Sequence, residues 1–243
     1  MTPSSPPSAP LTRDLVMRAA LELVDADGVE GLSMRRLGRA LDRDPMALYR
    51  HADTKTALLD GVVELVLEDL SVDADAADWE SELRRVARRY RAIAVTHPRV
   101  VPLLVTRPLA TPLALRPHGT LRPLEATLDL LVRSGFDDVD ALHIYRMFFG
   151  LLQGHVLNEL QELVDNPEET DDLLRLGLHR LPISEFPILR GLAPALASYD
   201  GAGELERGLD ILISGLQARL SPSGTGLTIH APPTSPTDSG RPS

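Results

Sequence analysis

A short basic segment near the start of the chain contains the side chains best suited to hydrogen-bonding with another molecule. Residues 33–55 include five arginines, one lysine, Tyr49 and His51. Arginine can bind a guanine edge through two hydrogen bonds, and lysine and histidine can donate to phosphate oxygens. A tyrosine hydroxyl can donate along the sugar–phosphate edge. These residue types predict binding to double-stranded DNA, provided that regular elements hold them on one surface.

The same segment has the start signals and apolar spacing of two short helices with a tight turn between them. Ser33 is a favourable N-cap, and apolar residues then recur on one helical face at Met34, Leu37 and Leu41. Asp44 followed by Pro45 is a second N-cap, with proline at the first helical position. This is the pattern of a helix-turn-helix, whose second helix lies in the major groove of DNA.

Leu48 is the expected inward anchor of the second helix, which we expect to carry Tyr49, Arg50 and His51. A helix turns about 100° per residue, so the residues around Leu48 face outward, where a groove would lie. The outward positions are Met46, Ala47, Tyr49 and Arg50.

The positive charge of this segment is local. The formal net charge of the chain is −10, whereas residues 33–55 contain six cationic and three acidic side chains. An acidic body repels DNA broadly while a small basic face attracts it, which disfavours nonspecific binding. The alternative for the arginines alone is an ordinary solvated helix face; the capped helix pair beside them favours DNA binding.

The remaining sequence predicts an all-α protein, because no stretch shows sustained alternation with β-branched residues. We expect helices over 12–27 with Gly28 as the stop, from Thr54 to about 70, and over 79–96, 98–105, 140–164 and 204–220. A further helix should begin at Pro117 or Leu121 and end at Gly135, with Asp137 or Asp138 capping the next. Residues 106–117 contain three prolines and are expected to form a bent loop, 184–198 a broken, partly helical stretch, and 166–169 a helix cap.

Composition bounds the organisation further. Residues 1–10 and 221–243 are rich in proline and serine and are expected to be disordered tails; residues 1–10 lack the charged start and apolar run of a signal peptide. No apolar run approaches the length of a membrane span. The absence of cysteine excludes thiol catalysis and suits a reducing cytoplasm, which is the expected location. The predicted domains are 11–60, with the helix-turn-helix, and 61–220, with a larger helical body.

The N-terminal pattern resembles the DNA-binding domain of the TetR family of transcriptional regulators. The resemblance runs without a gap from about residue 12 to 70, and it includes Gly28, the 37–41 and 47–51 segments, Lys55 and 58–60. It implies that Arg35 starts the helix before the turn and reaches the DNA backbone or a base edge. It also implies that Met46, Ala47, Tyr49 and Arg50 face the groove and that His51 and Lys55 bind phosphates. A hydrogen bond from His51 to the following helix is the alternative.

Two residues depart from the usual pattern of the family. Asp42 stands in the turn where glycine is common, and aspartate tolerates left-handed backbone better than most residues do. Gly38 stands in the first helix where a small residue such as alanine is usual. Glycine costs about 1 kcal/mol of helix propensity there but allows close packing. Neither departure breaks the motif.

The C-terminal part has a looser resemblance, to the tetracycline-repressor branch of the family. It implies a homodimer formed through the helices near 140–164 and 204–220, although an intramolecular core would explain the same apolar stripes. In the tetracycline-binding members the ligand is a magnesium chelate. Here Ser71, Val86, Leu103 and Asn158 replace the residues that would bind it, and leucine offers a hard cation no oxygen.

We therefore predict an effector other than magnesium–tetracycline, apolar and with one polar or anionic group at Arg107. Thr106 and Arg107 are retained from the family, although they could simply hold a turn. The expected effector-binding residues are Val86, Tyr90, Leu103, Thr106, Arg107, Phe148 and Leu152.

Nothing in the sequence favours an enzyme. No glycine-rich phosphate loop or Gly-x-Ser-x-Gly is present. His155 and Glu159 are four residues apart, as metal ligands can be, but such a pair is more often a hydrogen-bonded surface pair; we expect no metal and no cofactor. The sequence thus predicts a dimeric, effector-controlled repressor that binds a palindromic operator. The alternative is a helical ligand-binding or adaptor protein without sequence-specific DNA binding.

Overall fold

This computed structural model describes residues 10–110, 112–164, 177 and 180–220. Most of these residues are helical, and none of them is in a strand. The helices described are α1 Arg13–Gly31, α2 Met34–Ala40, α3 Pro45–Leu48, α4 Lys55–Glu68, α5 Trp79–Thr96, α6 Val101–Ala110, α7 His118–Arg133, α8 Asp138–Val164, α9 Pro187–Gly191, α10 Ala193–Ala197 and α11 Gly201–Leu220. Short 3₁₀ turns, Pro98–Val100 and Leu113–Leu115, precede α6 and α7. The all-α prediction is confirmed.

Side-chain caps start the first helices where the sequence predicted them. The Ser33 hydroxyl accepts from the Arg36 N–H at 3.3 Å, the Asp44 carboxylate from Met46 at 2.8 Å, and the Thr54 hydroxyl from Ala57 at 3.0 Å. Each cap satisfies one N–H that has no partner inside its own helix. Asp137 caps α8 in the same way, with its carboxylate accepting from the Val139 and Asp140 N–H groups at 2.9 Å.

Helix α4 belongs to both halves of the molecule. It packs against α1 on one side and against α6 and α7 on the other. The contact with α1 is close, because a Cβ added to Gly61 would lie 2.3 Å from the Met17 sulfur. Leu58 and Val62 of α4 are fully buried. Helix α4 therefore connects α1 directly to the helices of the body.

The larger body is built around α5, α8 and α11, which pack against one another, while α7 packs against α4 and α8. The core of this body is aliphatic, with Leu83, Ile144, Leu152 and Leu209 almost completely buried. None of the helices in the described residues is both long and apolar enough to cross a membrane.

Three local predictions need correction. The expected loop over 106–117 is wrong in its first half, because α6 continues through Pro108 to Ala110. The second helix of the motif, α3, ends at Leu48, so Tyr49 is its C-cap and Arg50 and His51 lie in the following turn. The last helix begins at Gly201, three residues before the expected start, with the Asp200 carboxylate accepting from the Gly203 N–H at 3.1 Å.

Other boundaries agree with expectation. Gly28 has the positive φ of +73° that the predicted stop requires, although α1 resumes for a short turn to Gly31. Helix α5 has the predicted bounds, and α9 and α10 form the broken stretch before α11. The predicted tails, apart from residue 10, and the predicted cap at 166–169 lie outside the described residues.

Candidate nucleic-acid interface and ligand cavity

The turn between α2 and α3 holds the two helices at short distance. Leu37 and Leu48 are fully buried and anchor the pair to the rest of the domain. Asp42 has a φ of +50°, as the sequence predicted for the position where glycine is common. Gly38 lies so near the turn that an added Cβ would be 2.8 Å from the Arg43 carbonyl oxygen. A larger residue at 38 would therefore push the helices apart.

The surface beyond Leu48 carries the side chains predicted to face DNA. Met46 is 73% exposed and Tyr49 43% exposed, which is unusual for large apolar groups. Arg35 and Arg50 are also exposed, and Ala47 is half-buried. Among the described residues neither arginine forms an ion pair, so both guanidinium groups can bind an anion without breaking a bond within the protein.

The two predicted phosphate ligands differ in their surroundings. Lys55 is exposed at the start of α4, and its Nζ is 3.9 Å from a carboxylate oxygen of Glu30, a loose contact that a phosphate could replace. His51 is half-buried, and its Nε2 is itself buried and has no hydrogen-bond partner among the described residues, so contact with a phosphate requires the ring to turn outward. The interior hydrogen bond that was the alternative for His51 is therefore not made through this nitrogen.

A cavity of about 100 Å³ lies between α4 and the body. Three aromatic side chains form one wall: Tyr145 and Phe149 have ring centroids 4.7 Å apart, and Phe149 meets Tyr90 edge-on at 6.2 Å. Two arginines, Arg107 and Arg116, lie on the lining as well. Apolar walls with a few polar groups are typical of small-molecule sites.

Only part of the predicted effector set lines this cavity. Tyr90 and Arg107 do so. Val86, Leu103, Phe148 and Leu152 are buried in the core and are not among the lining residues. Thr106 is exposed, and its hydroxyl donates to the Pro102 carbonyl at 2.7 Å.

The difference is one of helical register. On α6 the lining residues are Leu104 and Arg107, where the prediction had Leu103 and Thr106 beside Arg107; on α8 they are Tyr145, Phe149 and Gln153, where it had Phe148 and Leu152. A step of one residue rotates the side chain by about 100°, from the cavity into the core. The four-residue spacing of Tyr145, Phe149 and Gln153 puts them on one face of α8 and could have identified them as lining residues from the sequence. No sequence pattern indicated that Asp60 and Arg116 line the cavity.

The polar groups of the cavity are held in different ways. The Tyr90 side chain is 2% exposed and its hydroxyl has no partner among the described residues. Burial raises the pKa of both Tyr90 and Tyr145. Both phenols are therefore neutral hydrogen-bond donors at pH 7. The Arg107 Nε donates to Asp60 Oδ1 at 2.9 Å, which joins α6 to α4 across the cavity wall.

The expectation of a surface pair at His155 and Glu159 is wrong, because both side chains are buried and take part in a structural contact. The Arg91 Nε donates to Glu159 Oε2 at 2.9 Å, so the carboxylate is already neutralised by a cation. His155 Nε2 is 3.6 Å from the same oxygen, and burial lowers the pKa of His155. No cluster of three potential metal ligands occurs among the described residues.

Comparisons with known proteins agree with both halves of this geometry. Residues 16–62 match the family model "Bacterial regulatory proteins, tetR family", and residues 73–220 match "Tetracyclin repressor-like, C-terminal domain". The HTH-type transcriptional repressor DrrR1 of Streptomyces coeruleorubidus is 31% identical over 81% of this chain and 71% of its own. Tetracycline repressor protein class D of Escherichia coli is 30% identical over 88% and 92%.

Solved structures give the same result. Streptomyces coelicolor ActR in complex with actinorhodin superposes with a TM-score of 0.70 at 29% identity, covering 87% of this chain and 99% of that one. The C-terminal match alone spans more than half of the sequence. The helix-turn-helix lies within the N-terminal match, and most of the residues that line the cavity lie within the C-terminal match. The chain belongs to the TetR family and is a ligand-responsive, DNA-binding transcriptional regulator, not an enzyme.

Proposed function

We propose that this regulator is a homodimeric repressor that binds a palindromic operator in the cytoplasm and leaves it when a small-molecule effector binds. The observation that carries the proposal is the capped α2–α3 pair, with Met46, Tyr49 and Arg50 exposed beyond the buried Leu48. The proposed division is residues 11–60 for DNA binding and 61–220 for effector binding and dimerisation, with α4 crossing between them.

In this proposal Arg50 provides the main base-specific contact. A guanidinium can bind guanine through two hydrogen bonds, whereas Met46 and Ala47 can contact only apolar groups such as a thymine methyl. Tyr49 packs on the sugar–phosphate edge. Arg35 contacts the backbone or a base edge, and His51 and Lys55 bind phosphates, which position the protein without reading sequence. Few direct contacts per half-site then decide specificity.

The proposed effector is an apolar, ring-bearing molecule with an anionic or polar group. The aromatic wall of Tyr90, Tyr145 and Phe149 favours a flat ring system, and Arg107 favours a negative group. The ActR complex with actinorhodin supports a small-molecule effector in a protein of this fold. The proposed effector is not magnesium–tetracycline, since the wall is largely apolar and aromatic and offers a hard cation few oxygen ligands. Tight, magnesium-dependent tetracycline binding would contradict this part.

The proposed dimer uses α8 and α11, the helices near 140–164 and 204–220. Both present large apolar side chains to solvent in the single chain: Val139 is 65% exposed, Met147 52% and Ile211 77%. Exposed apolar area of this kind favours association. The proposed dimer has to place its two copies of α3 on one face of the molecule. A palindromic operator requires that arrangement.

The proposal is tested by genome-wide footprinting of the purified protein, followed by gel-shift titration on the site obtained. We expect Arg50→Ala and Tyr49→Ala each to weaken operator binding, Arg50→Ala by about tenfold or more, since a bidentate base contact contributes about 1–3 kcal/mol. Arg122→Ala, which removes an exposed arginine on α7, is the matched control and should bind as the unmodified protein does.

Failure of the unmodified protein to shift any genomic fragment at low salt would contradict the proposal. That result would favour the second candidate, a helical ligand-binding or adaptor protein. Equal weakening by Arg122→Ala and Arg50→Ala would show that only overall charge matters and would contradict base-specific binding.

A further inference from the structure

One ion pair joins the helix that leads to the DNA-binding domain to the helix that lines the ligand cavity. Arg107 on α6 donates through Nε to Asp60 Oδ1 at 2.9 Å and through Nη2 to the same oxygen, and also to the Thr56 carbonyl at 3.2 Å. The side chains of Arg107 and Asp60 are only 18% and 29% exposed, and both line the cavity. The pair is therefore within reach of anything that binds there.

Helix α4 forms one part of the cavity wall. Besides Asp60, it contributes Val63 and Leu67. The next residue after Asp60 is Gly61, where α4 makes its close approach to Met17 of α1. Asp60 thus lies at the point where the cavity and the DNA-binding domain share one helix, and adjacent residues make the two contacts.

The size of the cavity favours movement of this wall. Its volume is about 100 Å³, whereas small-molecule sites usually occupy about 300–1,000 Å³. Full enclosure of a ligand of that size requires the wall to move outward. The ion pair between Arg107 and Asp60 is the bond that such a movement of α4 from α6 must break.

We propose that effector and operator binding exclude each other through this pair: an anionic group of the effector replaces Asp60 on Arg107, and α4 is released. The inference rests on the proposed function and adds the means of control. While Arg107 binds Asp60, α4 is held to the body in the orientation that binds DNA. Once the effector anion occupies Arg107, Asp60 has lost its cation and α4 can move with the ligand-filled wall.

The surroundings of Arg107 favour an anion over a cation. The Tyr90 hydroxyl is buried without a partner among the described residues and, as a neutral donor, can bond to an incoming oxygen. Arg116 adds a second positive charge to the lining. A carboxylate, sulfonate or phenolate attached to a ring system would satisfy these donors, while its rings lie against Phe149 and Tyr145.

The test uses two fluorescent probes that differ only in charge. One is 8-anilinonaphthalene-1-sulfonate, and the other is the neutral N-phenyl-1-naphthylamine. In Asp60→Asn the competing carboxylate is gone while the side chain keeps its size. We expect this variant to bind the sulfonate about tenfold more tightly, within the usual range of coupling between sites, and the neutral probe with unchanged affinity. Arg107→Gln should weaken the sulfonate alone.

The matched control is Asp69→Asn. Asp69 caps α4 and its Oδ2 is 2.9 Å from Arg89 Nη2, so it also ties α4 to the body, but it does not line the cavity. This variant should bind both probes as the unmodified protein does. Asp60→Glu keeps the charge and should retain the unmodified preference, and thermal unfolding by circular dichroism confirms that each variant is folded.

Operator binding supplies the second measurement. We expect Asp60→Asn to weaken binding to the operator fragment in the absence of any probe, and the sulfonate to release the unmodified protein from that fragment. Unchanged sulfonate affinity in Asp60→Asn would overturn the inference, and equal tightening of both probes would overturn the role of the anion. If the unmodified protein binds no operator, the proposed function fails, a result distinct from either of these.

Discussion

Two residues in the turn of the helix-turn-helix show how single positions set the geometry of the DNA-binding surface. Asp42 adopts a positive φ that most L-residues avoid, and aspartate tolerates it better than bulkier residues do. Gly38 has no side chain to separate α2 from the turn, and its neighbours are the Arg43 carbonyl and the Pro45 ring, at 2.8 and 3.1 Å from an added Cβ. Both positions serve the close packing of α2 and α3.

Gly38→Ala should therefore destabilise the protein, although alanine is the better helix former. The added methyl meets backbone and a proline ring, neither of which can rotate away, and overpacking costs about 1–3 kcal/mol. The higher helix propensity of alanine offsets about 1 kcal/mol of this loss in stability. We expect urea unfolding to give a net loss of about 1–2 kcal/mol, as the difference of those two effects.

Gly191→Ala provides the comparison, because a Cβ at that position has no atom within 4 Å. With no overpacking to offset the gain in helix propensity, it should leave the stability unchanged or raise it by up to about 1 kcal/mol. An increase in stability for Gly38→Ala would mean that the turn relaxes freely and that the short distance at residue 38 has no structural importance.

At the scale of elements, a buried polar contact holds three helices of the body together. Arg91 on α5 binds Glu159 on α8, and His155 lies one turn before Glu159. The start of α11 closes this contact, because a Cβ on Gly201 would be 2.2 Å from Glu159 Oε1. The cluster fixes α11 against α5 and α8. Two of these three helices are those proposed to form the dimer.

The histidine makes this contact sensitive to acid. Burial lowers the pKa of His155 in the folded state, although the nearby Glu159 partly opposes the shift. The unfolded chain therefore takes up the proton more readily, and stability is lost as the pH falls below the unfolded value of about 6.5. We expect His155→Gln to lose less unfolding free energy than the unmodified protein between pH 7.5 and 5.5, measured by urea titration.

His143→Gln is the control, since His143 is exposed on the same helix. It should follow the pH dependence of the unmodified protein. The same slope for His155→Gln and the unmodified protein would show that other groups cause the loss of stability in acid.

At the scale of the whole molecule, the proposed function requires two copies of a chain whose net charge is −10. The basic face is small, so the attraction of one copy to DNA is weak. In the proposed function, tight binding to the operator therefore depends on two correctly spaced copies that bind together. In the proposed dimer the exposed Ile211 of α11 is buried against the other copy. Two-fold symmetry means that one substitution appears twice in the interface.

We therefore expect Ile211→Asp to convert the protein to monomers. An unpaired buried carboxylate costs about 3–5 kcal/mol, which raises the dissociation constant of the dimer by at least about a hundredfold. Analytical ultracentrifugation measures this. Leu115→Asp, which alters a residue 73% exposed in the turn before α7, should leave the dimer intact. Dimers of unchanged affinity in Ile211→Asp would exclude this face as the interface.

The sequence alone determined the features that depend on neighbours in the chain. Caps at Ser33, Asp44 and Thr54, the positive φ at Gly28 and the apolar spacing gave the helices and the helix-turn-helix, because these signals act within a turn or two. The predicted helix boundaries were wrong where the local sequence did not decide the end of the helix. Pro108 suggested a loop, but α6 continues to Ala110.

The tertiary structure decided which face of each helix meets which partner. Phe148 and Phe149 are equally apolar, yet one is in the core and the other lines the cavity, and a rotation of about 100° separates them. Asp60 and Arg107 are 47 residues apart, and no local pattern joins them. Packing of α4 against α6 brings them together. The burial of apolar area that drives this packing does not depend on the separation of the residues along the chain.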